Sequence, residues 1–178
     1  MFKVHRRAVV IASSVLMNVA VFGASYAADV VRTPSGNGFP ISTAVTVPAG
    51  FDTVYVSGKL PEVANKDAPK GSVESYGNME TQTTSVLTQI KGTLAGMGLG
   101  MGDIVKMTVF MAADPTNDNK LNFTGLMAGY TKFFGTADQP NTPARSAVQV
   151  AALVSPGALL EIEVIAVKPH AELKKGKH

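Results

Sequence analysis

A chain of 178 residues, 46% hydrophobic and 16% charged, is long enough for one domain with a full core. It has no cysteine, which excludes disulfides and thiolate chemistry. Its formal charge of +3 rests on 16 basic and 13 acidic residues, and setting aside Lys3, Arg6 and Arg7 at the N-terminus leaves 13 against 13, so no basic stripe argues for nucleic acid.

Residues 1–27 read as a secretory signal peptide. Lys3, Arg6 and Arg7 make a basic start, Ala8 to Phe22 is almost wholly apolar, and Ser25-Tyr26-Ala27 offers small residues for cleavage. The expectation is a periplasmic or secreted protein, cut after Ala27, with no membrane attachment afterwards. A membrane anchor is the alternative, but the apolar run is about 15 residues against the ~20 that a span needs. Residues 28–40, with Thr33-Pro34-Ser35-Gly36-Asn37-Gly38, read as a flexible lead-in to a domain over 41–168, and residues 169–178 as a basic tail.

Alternation over Ile41 to Val47 predicts a first strand, and Thr53 to Ser57 a second that Gly58 ends. A glycine there lets a ligand or backbone approach closely, although a plain turn is the commoner use. Lys59 to Ser72, with Pro61, Pro69 and Gly71, is a loop. Val86, Leu87, Ile90, Leu94 and Met97 recur at the spacing of one buried helix face, beginning near Ser75 or Asn78. Gly96, Gly98, Gly100 and Gly102 stop that helix. Alternate glycines suggest a dinucleotide loop, but such a loop leaves a strand and opens a helix, whereas this one does the reverse.

Ile104 to Ala112 predicts a third strand. Asp114-Pro115-Thr116-Asn117-Asp118 breaks the chain and supplies caps, and Phe123, Leu126, Met127, Tyr130 and Phe134 mark a second amphipathic helix. Two β-branched runs then flank Ser155-Pro156-Gly157, which predicts a hairpin of neighbouring strands over Thr142 to Val167. The layout is that of an α+β domain, a single mixed β-sheet with two helices packed on one face. Alternation assigns Val148, Val150, Leu160, Ile162 and Val164 to the helix side, and Arg145, Ala147, Gln149, Glu161 and Glu163 to the open side. An open side that also carries Ile165 and Val167 predicts a homo-oligomer. In a hairpin centred near Pro156, Arg145 and Glu161 stand six positions apart, roughly 20 Å, too far to share one small ligand within a subunit.

Arg145 just behind a proline, beside two carboxylates, is the one constellation that looks chemical. A structural ion pair with Glu161 or Glu163 is the bland account. The functional one is that a guanidinium grips a carboxylate in two parallel hydrogen bonds.

The run Pro-Ala-Arg-Ser-x-Val-x-Val-Ala-x-Leu from Pro143, followed by Glu-Ile-Glu-x-Ile-Ala-Val from Glu161, resembles the C-terminal signature of the Rid (YjgF) family of imine and enamine deaminases. Val54-Tyr55-Val56-Ser57-Gly58, Gly102 to Phe110 and Tyr130-Thr131-Lys132-Phe133-Phe134 match it in the same order. The resemblance implies a chorismate-mutase-like fold, a homotrimer with pockets between subunits, and hydrolysis of 2-imino acids or their enamine tautomers to 2-oxo acids and ammonia. It makes Arg145 the carboxylate anchor and Glu161 the residue that orients or deprotonates water. Ser57, Gly58, Ala147, Ile41, Met127 and Tyr130 would line the substrate pocket. No metal or organic cofactor is implied. Many active members carry Tyr, Cys and Asn where this chain has Ile41, Ala147 and Met127, so its pocket is more apolar. A non-catalytic binder of small carboxylates, such as 2-oxo acids or amino acids, is the reading from another class. A ribonuclease-like role lacks a basic patch and an acid-base histidine pair.

Overall fold

Residues 29–170 are described by the computed structural model, so the expected leader and most of the expected tail lie outside them. Six strands, β1 (Val31–Pro34), β2 (Ser42–Thr46), β3 (Phe51–Lys59), β4 (Ile104–Met111), β5 (Ala144–Gln149) and β6 (Leu160–Pro169), form one mixed sheet in the order β1-β2-β5-β4-β6-β3. A single turn, α1 (Val73–Tyr76), precedes α2 (Met79–Ala95), and α3 (Phe123–Tyr130) links β4 to β5. Among the described residues no helix is long and apolar enough to cross a membrane.

Caps define the helices where the sequence supplies them. Asn78 accepts from the Thr81 amide at 2.9 Å to start α2, and Asn122 accepts from the Gly125 amide at 2.9 Å to start α3. Asn122 also donates to Asp114 at 2.9 Å. Burial pushes the Asp114 carboxyl up, but hydrogen bonds from Thr116 and Asn122 outweigh it and hold the group below its ordinary value. The buried positions of α2 include Val86, Leu87, Ile90 and Leu94, as the periodicity predicts. Met97 does not belong with them: it lies past the helix end and is 36% exposed.

Three expectations need correction. The stretch read as a flexible lead-in contains β1, which pairs antiparallel with β2. Arg32 from β1 reaches across to donate to the Gly102 carbonyl at 2.6 Å, a tie that periodicity over four residues cannot reveal. Secondly, β5 and β6 are not a hairpin, because β4 lies between them, parallel to β5 and antiparallel to β6. The Ser155-Pro156-Gly157 turn exists, but it sits in a loop that carries the chain over the end of β4. There the Val150 amide donates to Met111 and the Ala112 amide to Leu159.

The third correction follows from the second. In register, Met107 stands beside Arg145 and Val109 beside Ala147. Side-by-side residues share a face, and Met107 and Val109 are buried in the helix-covered core. Arg145, Ala147 and Gln149 therefore point to the helices, and Val148, beside Phe110, lies on the open side at 45% exposure. Expectation holds for β6: Leu160, Ile162 and Val164 are buried, and Glu161 pairs with Phe110 on the open face. Tyr55, 78% exposed, shares that face.

Both helices cover the same side of the sheet, and α3 lies close against α2. A Cβ on Gly129 would stand 2.6 Å from Thr83 Cβ, and one on Gly125 would stand 2.7 Å from Met79 Cβ. Glycine one turn apart on α3 is what permits this approach. Gly129→Ala should lower the unfolding free energy by roughly 1–2 kcal/mol, overpacking outweighing alanine's better helix propensity. Urea denaturation followed by circular dichroism checks it; an unchanged or higher midpoint would mean the helices are free to move apart.

Candidate functional site

The fold divides the sequence-predicted site residues between two places. Arg145, Ala147, Met127 and Tyr130 come together where β5 meets α3. Ser57, Gly58 and Glu161 come together on the opposite side of the sheet, where β6 meets β3. Ile41 packs against the core just before Ser42, which pairs with Ala144, so it enters the sheet beside the arginine's own strand.

Arg145 is half-buried, with its guanidinium 4.3 Å from the centroid of the Tyr130 ring. Phe39 and Phe123, stacked on each other at 5.9 Å, flank it at 5.6 and 5.7 Å. Nη1 and Nη2 both lie 3.4 Å from the thioether sulfur of Met127, a weak acceptor. The ion pair with Glu161 or Glu163, the bland account of this arginine, is absent. The acid–base contacts among the described residues include Lys132 with Glu80 at 2.7 Å and His170 with Asp52 at 3.0 Å. Burial pulls the guanidinium pKa below its ordinary value, and Tyr130 opposes that pull. The cation is thus held by aromatic faces and offers its fork without a carboxylate to fill it.

Tyr130 is fixed from both ends. Its ring packs on Phe134 at 4.7 Å, and its hydroxyl donates to the Pro40 carbonyl at 2.9 Å. Burial pushes its phenol well above the ordinary value, with Arg145 pulling the other way, so at neutral pH it remains a neutral donor. That bond ties the segment carrying Phe39 and Ile41 to α3, beside the arginine.

On the other side, Gly58 does not end its strand. It sits in a bulge: Val56 pairs with Val164 and Lys59 with Ile162, leaving Ser57 and Gly58 opposite one residue of β6. The Glu161 carboxylate lies over Gly58, where a Cβ would come 2.8 Å from the carboxyl carbon. A Cβ at this position would push the Glu161 carboxylate aside.

The corrected register brings Arg145 and Glu161 nearer than a hairpin would. Arg145 aligns with Met107 and Val164, and Glu161 lies three positions along and two strands over. That is about 14 Å in the plane of the sheet, with the side chains on opposite faces. One small ligand cannot touch both within one chain. Phe39 and Phe123 are the site residues that sequence reasoning missed. Phe123 stood only as a helix-face position, and Phe39 lay in the stretch read as a flexible lead-in. Among the described residues no group of three or more His, Cys, Asp or Glu is placed to hold a metal ion.

A family model described as Endoribonuclease L-PSP matches residues 36–168. The chain belongs to this family, the Rid or YjgF family. Among Rid-family relatives, a RutC family protein of Haemophilus influenzae is 37% identical over 116 residues, covering 65% of this chain and 78% of its own. A protein of Escherichia coli K12 named putative reactive intermediate deaminase TdcF is 35% identical over 115 residues, covering 65% and 78%. The crystal structure of E. coli TdcF with bound serine superposes with a TM-score of 0.51 at 33% identity, covering 77% of this chain and 94% of that one.

The bond from Tyr130 to Pro40 can be tested alone. Tyr130→Phe keeps the ring against Arg145 and removes the hydroxyl, and should cost about 1 kcal/mol of stability. Chemical denaturation of the two proteins reads this directly; equal stability would mean the Pro40 tie contributes nothing.

Proposed function

We propose that this protein hydrolyses 2-imino acids, or the enamine tautomers that convert to them, to 2-oxo acids and ammonia. The observation that carries the reading is the Arg145 fork, half-buried, braced by Tyr130, Phe39 and Phe123, and filled by nothing stronger than the Met127 sulfur. A planar pair of donors among aromatic and apolar side chains suits a carboxylate attached to a small organic group. The serine in the TdcF structure is itself a small carboxylate, which supports the same reading.

In the reaction, Arg145 binds the substrate carboxylate and fixes the C=N carbon beside it. Water attacks that carbon, the nitrogen takes up protons, and the C–N bond breaks to give ammonia and the 2-oxo acid. Glu161 orients this water or accepts its proton, the general-base role. Because Glu161 of the same chain faces the other side of the sheet, the Glu161 that completes the pocket comes from a second copy, with Ser57 and Gly58 alongside it. The open face with Tyr55, Val148, Phe110 and Ile165 is the surface on which copies associate, as a trimer.

Two measurements test this. With 2-imino acids generated in the cuvette by an amino-acid oxidase, Arg145→Ala should lower the hydrolysis rate by roughly thirty- to several-thousand-fold, equivalent to ~2–5 kcal/mol. Inactivity of the wild-type protein across small, aliphatic and aromatic imines would remove the enzyme reading and leave a carboxylate binder. Sedimentation equilibrium at micromolar protein should return three times the chain mass, and a monomer would rule out a pocket shared between subunits.

A further inference from the structure

The sulfur of Met127 occupies the place in the Arg145 fork where a carboxylate would bind, 3.4 Å from each terminal nitrogen. A thioether is a weak acceptor, so an incoming carboxylate, which accepts two charge-assisted bonds, displaces it. That balance depends on the oxidation state of the sulfur. Of the methionines in the described residues, Met79, Met101, Met107 and Met111 are buried. Met97 is exposed and Met127 half-buried, so these two are open to an oxidant dissolved in water.

We propose that Met127 is a modification site whose oxidation to the sulfoxide closes the Arg145 fork to carboxylates. The proposal rests on the reading of Arg145 as a carboxylate anchor. With hydrogen peroxide as oxidant, a lone pair on the Met127 sulfur attacks one peroxide oxygen and the O–O bond breaks. That oxygen stays on sulfur and the other leaves as water; sulfur loses two electrons and the peroxide gains them. The new S–O dipole points an oxygen at the two guanidinium N–H groups, and the unbranched methionine stem has the freedom to back off and make room. A displaceable occupant becomes a strong acceptor already tethered in the site. Sulfoxide reduction by methionine sulfoxide reductases reverses the change.

Met97 provides an internal control. It lies beyond the end of α2, where its carbonyl accepts from Lys168 at 3.2 Å. Trypsin releases Met127 in the peptide Leu121–Lys132, which contains no other methionine, so its oxidation is read by mass spectrometry. The experiment is calorimetric titration with 2-oxobutanoate of wild type and Met127→Leu, each before and after peroxide. Leucine conserves the volume and cannot be oxidised.

Wild type should bind, lose affinity by roughly tenfold or more as Met127 gains its oxygen, and recover with a methionine sulfoxide reductase. Met127→Leu, whatever affinity it starts from, should keep that same affinity after peroxide. Unchanged affinity in wild type with Met127 oxidised overturns the proposal, as does a Leu121–Lys132 peptide that stays unoxidised while Met97 reacts. An equal loss in Met127→Leu places the lesion elsewhere, and a folded Met127→Leu that does not bind makes Met127 a required contact rather than a gate; either overturns the proposal while Arg145 keeps its role. Failure of untreated wild type and Met127→Leu to bind removes the anchor reading and the proposal together.

Discussion

The position of β4, parallel to β5 on one side and antiparallel to β6 on the other, is the constraint on which the rest of the structure depends. A parallel pair cannot be joined by a tight turn, so the chain between Met111 and Ala144 must cross over the sheet, and α3 is the body of that crossing. The same holds for β3 and β4, which flank β6 and are linked through α2. Crossovers of one hand set both helices on one face. This places α3 directly over β5. Met127, Tyr130 and Phe123 then meet Arg145 because they are the α3 residues above that strand.

Holding a guanidinium half-buried without an acid is an uneven arrangement. Desolvating a charge costs several kcal/mol when complete, and less here because the group is only half-buried. A cation over an aromatic face returns on the order of 0.5–2 kcal/mol, and the thioether adds little. Aromatic faces also position the guanidinium without consuming its N–H donors, since they attract the cation through its flat surface and leave the edge free. An acidic neighbour would have stabilised the arginine better and occupied the edge. The arrangement therefore gives up stability to leave a planar donor pair with no acceptor stronger than the Met127 sulfur, and the short tie from Tyr130 to Pro40 keeps the brace in place.

Much of this was legible in the residues. The extents of α2, β4 and β6 followed from periodicity within a few positions, and the arginine was singled out because it stood behind a proline and was read as sharing a face with two carboxylates, which the register places on the opposite face. Alternation says only that Arg145 and Val148 lie on opposite faces, and pairing decides which face is buried. The dense turn at Ser155-Pro156-Gly157 argued for a hairpin and concealed a crossing loop. A competing signal was present: a helix between β4 and β5 is what a parallel pair requires, and giving it precedence would have turned Arg145 inward. Neither β1 nor Phe39 had a readable signal, since four residues carry no period and their ties, Arg32 to Gly102 and Phe39 to Phe123, span long stretches of chain.

The two halves of the site differ in what they ask of the chain. The arginine half is complete in one copy, because a single crossover brings anchor, aromatic brace and thioether together. The glutamate half has its own local device, a bulge at Ser57 and Gly58 that makes room for a carboxylate on the open face. With Ile41, Ala147 and Met127 all non-polar, the arginine half has few groups of its own to hold water in place. In the proposed reaction, recognition falls on one guanidinium and apolar fit, and handling of water falls on Glu161. Under the proposed reaction, a sheet that separates these groups onto opposite faces makes chemistry contingent on association: the isolated chain offers a donor fork for a carboxylate, and a second copy is what would place a base beside it.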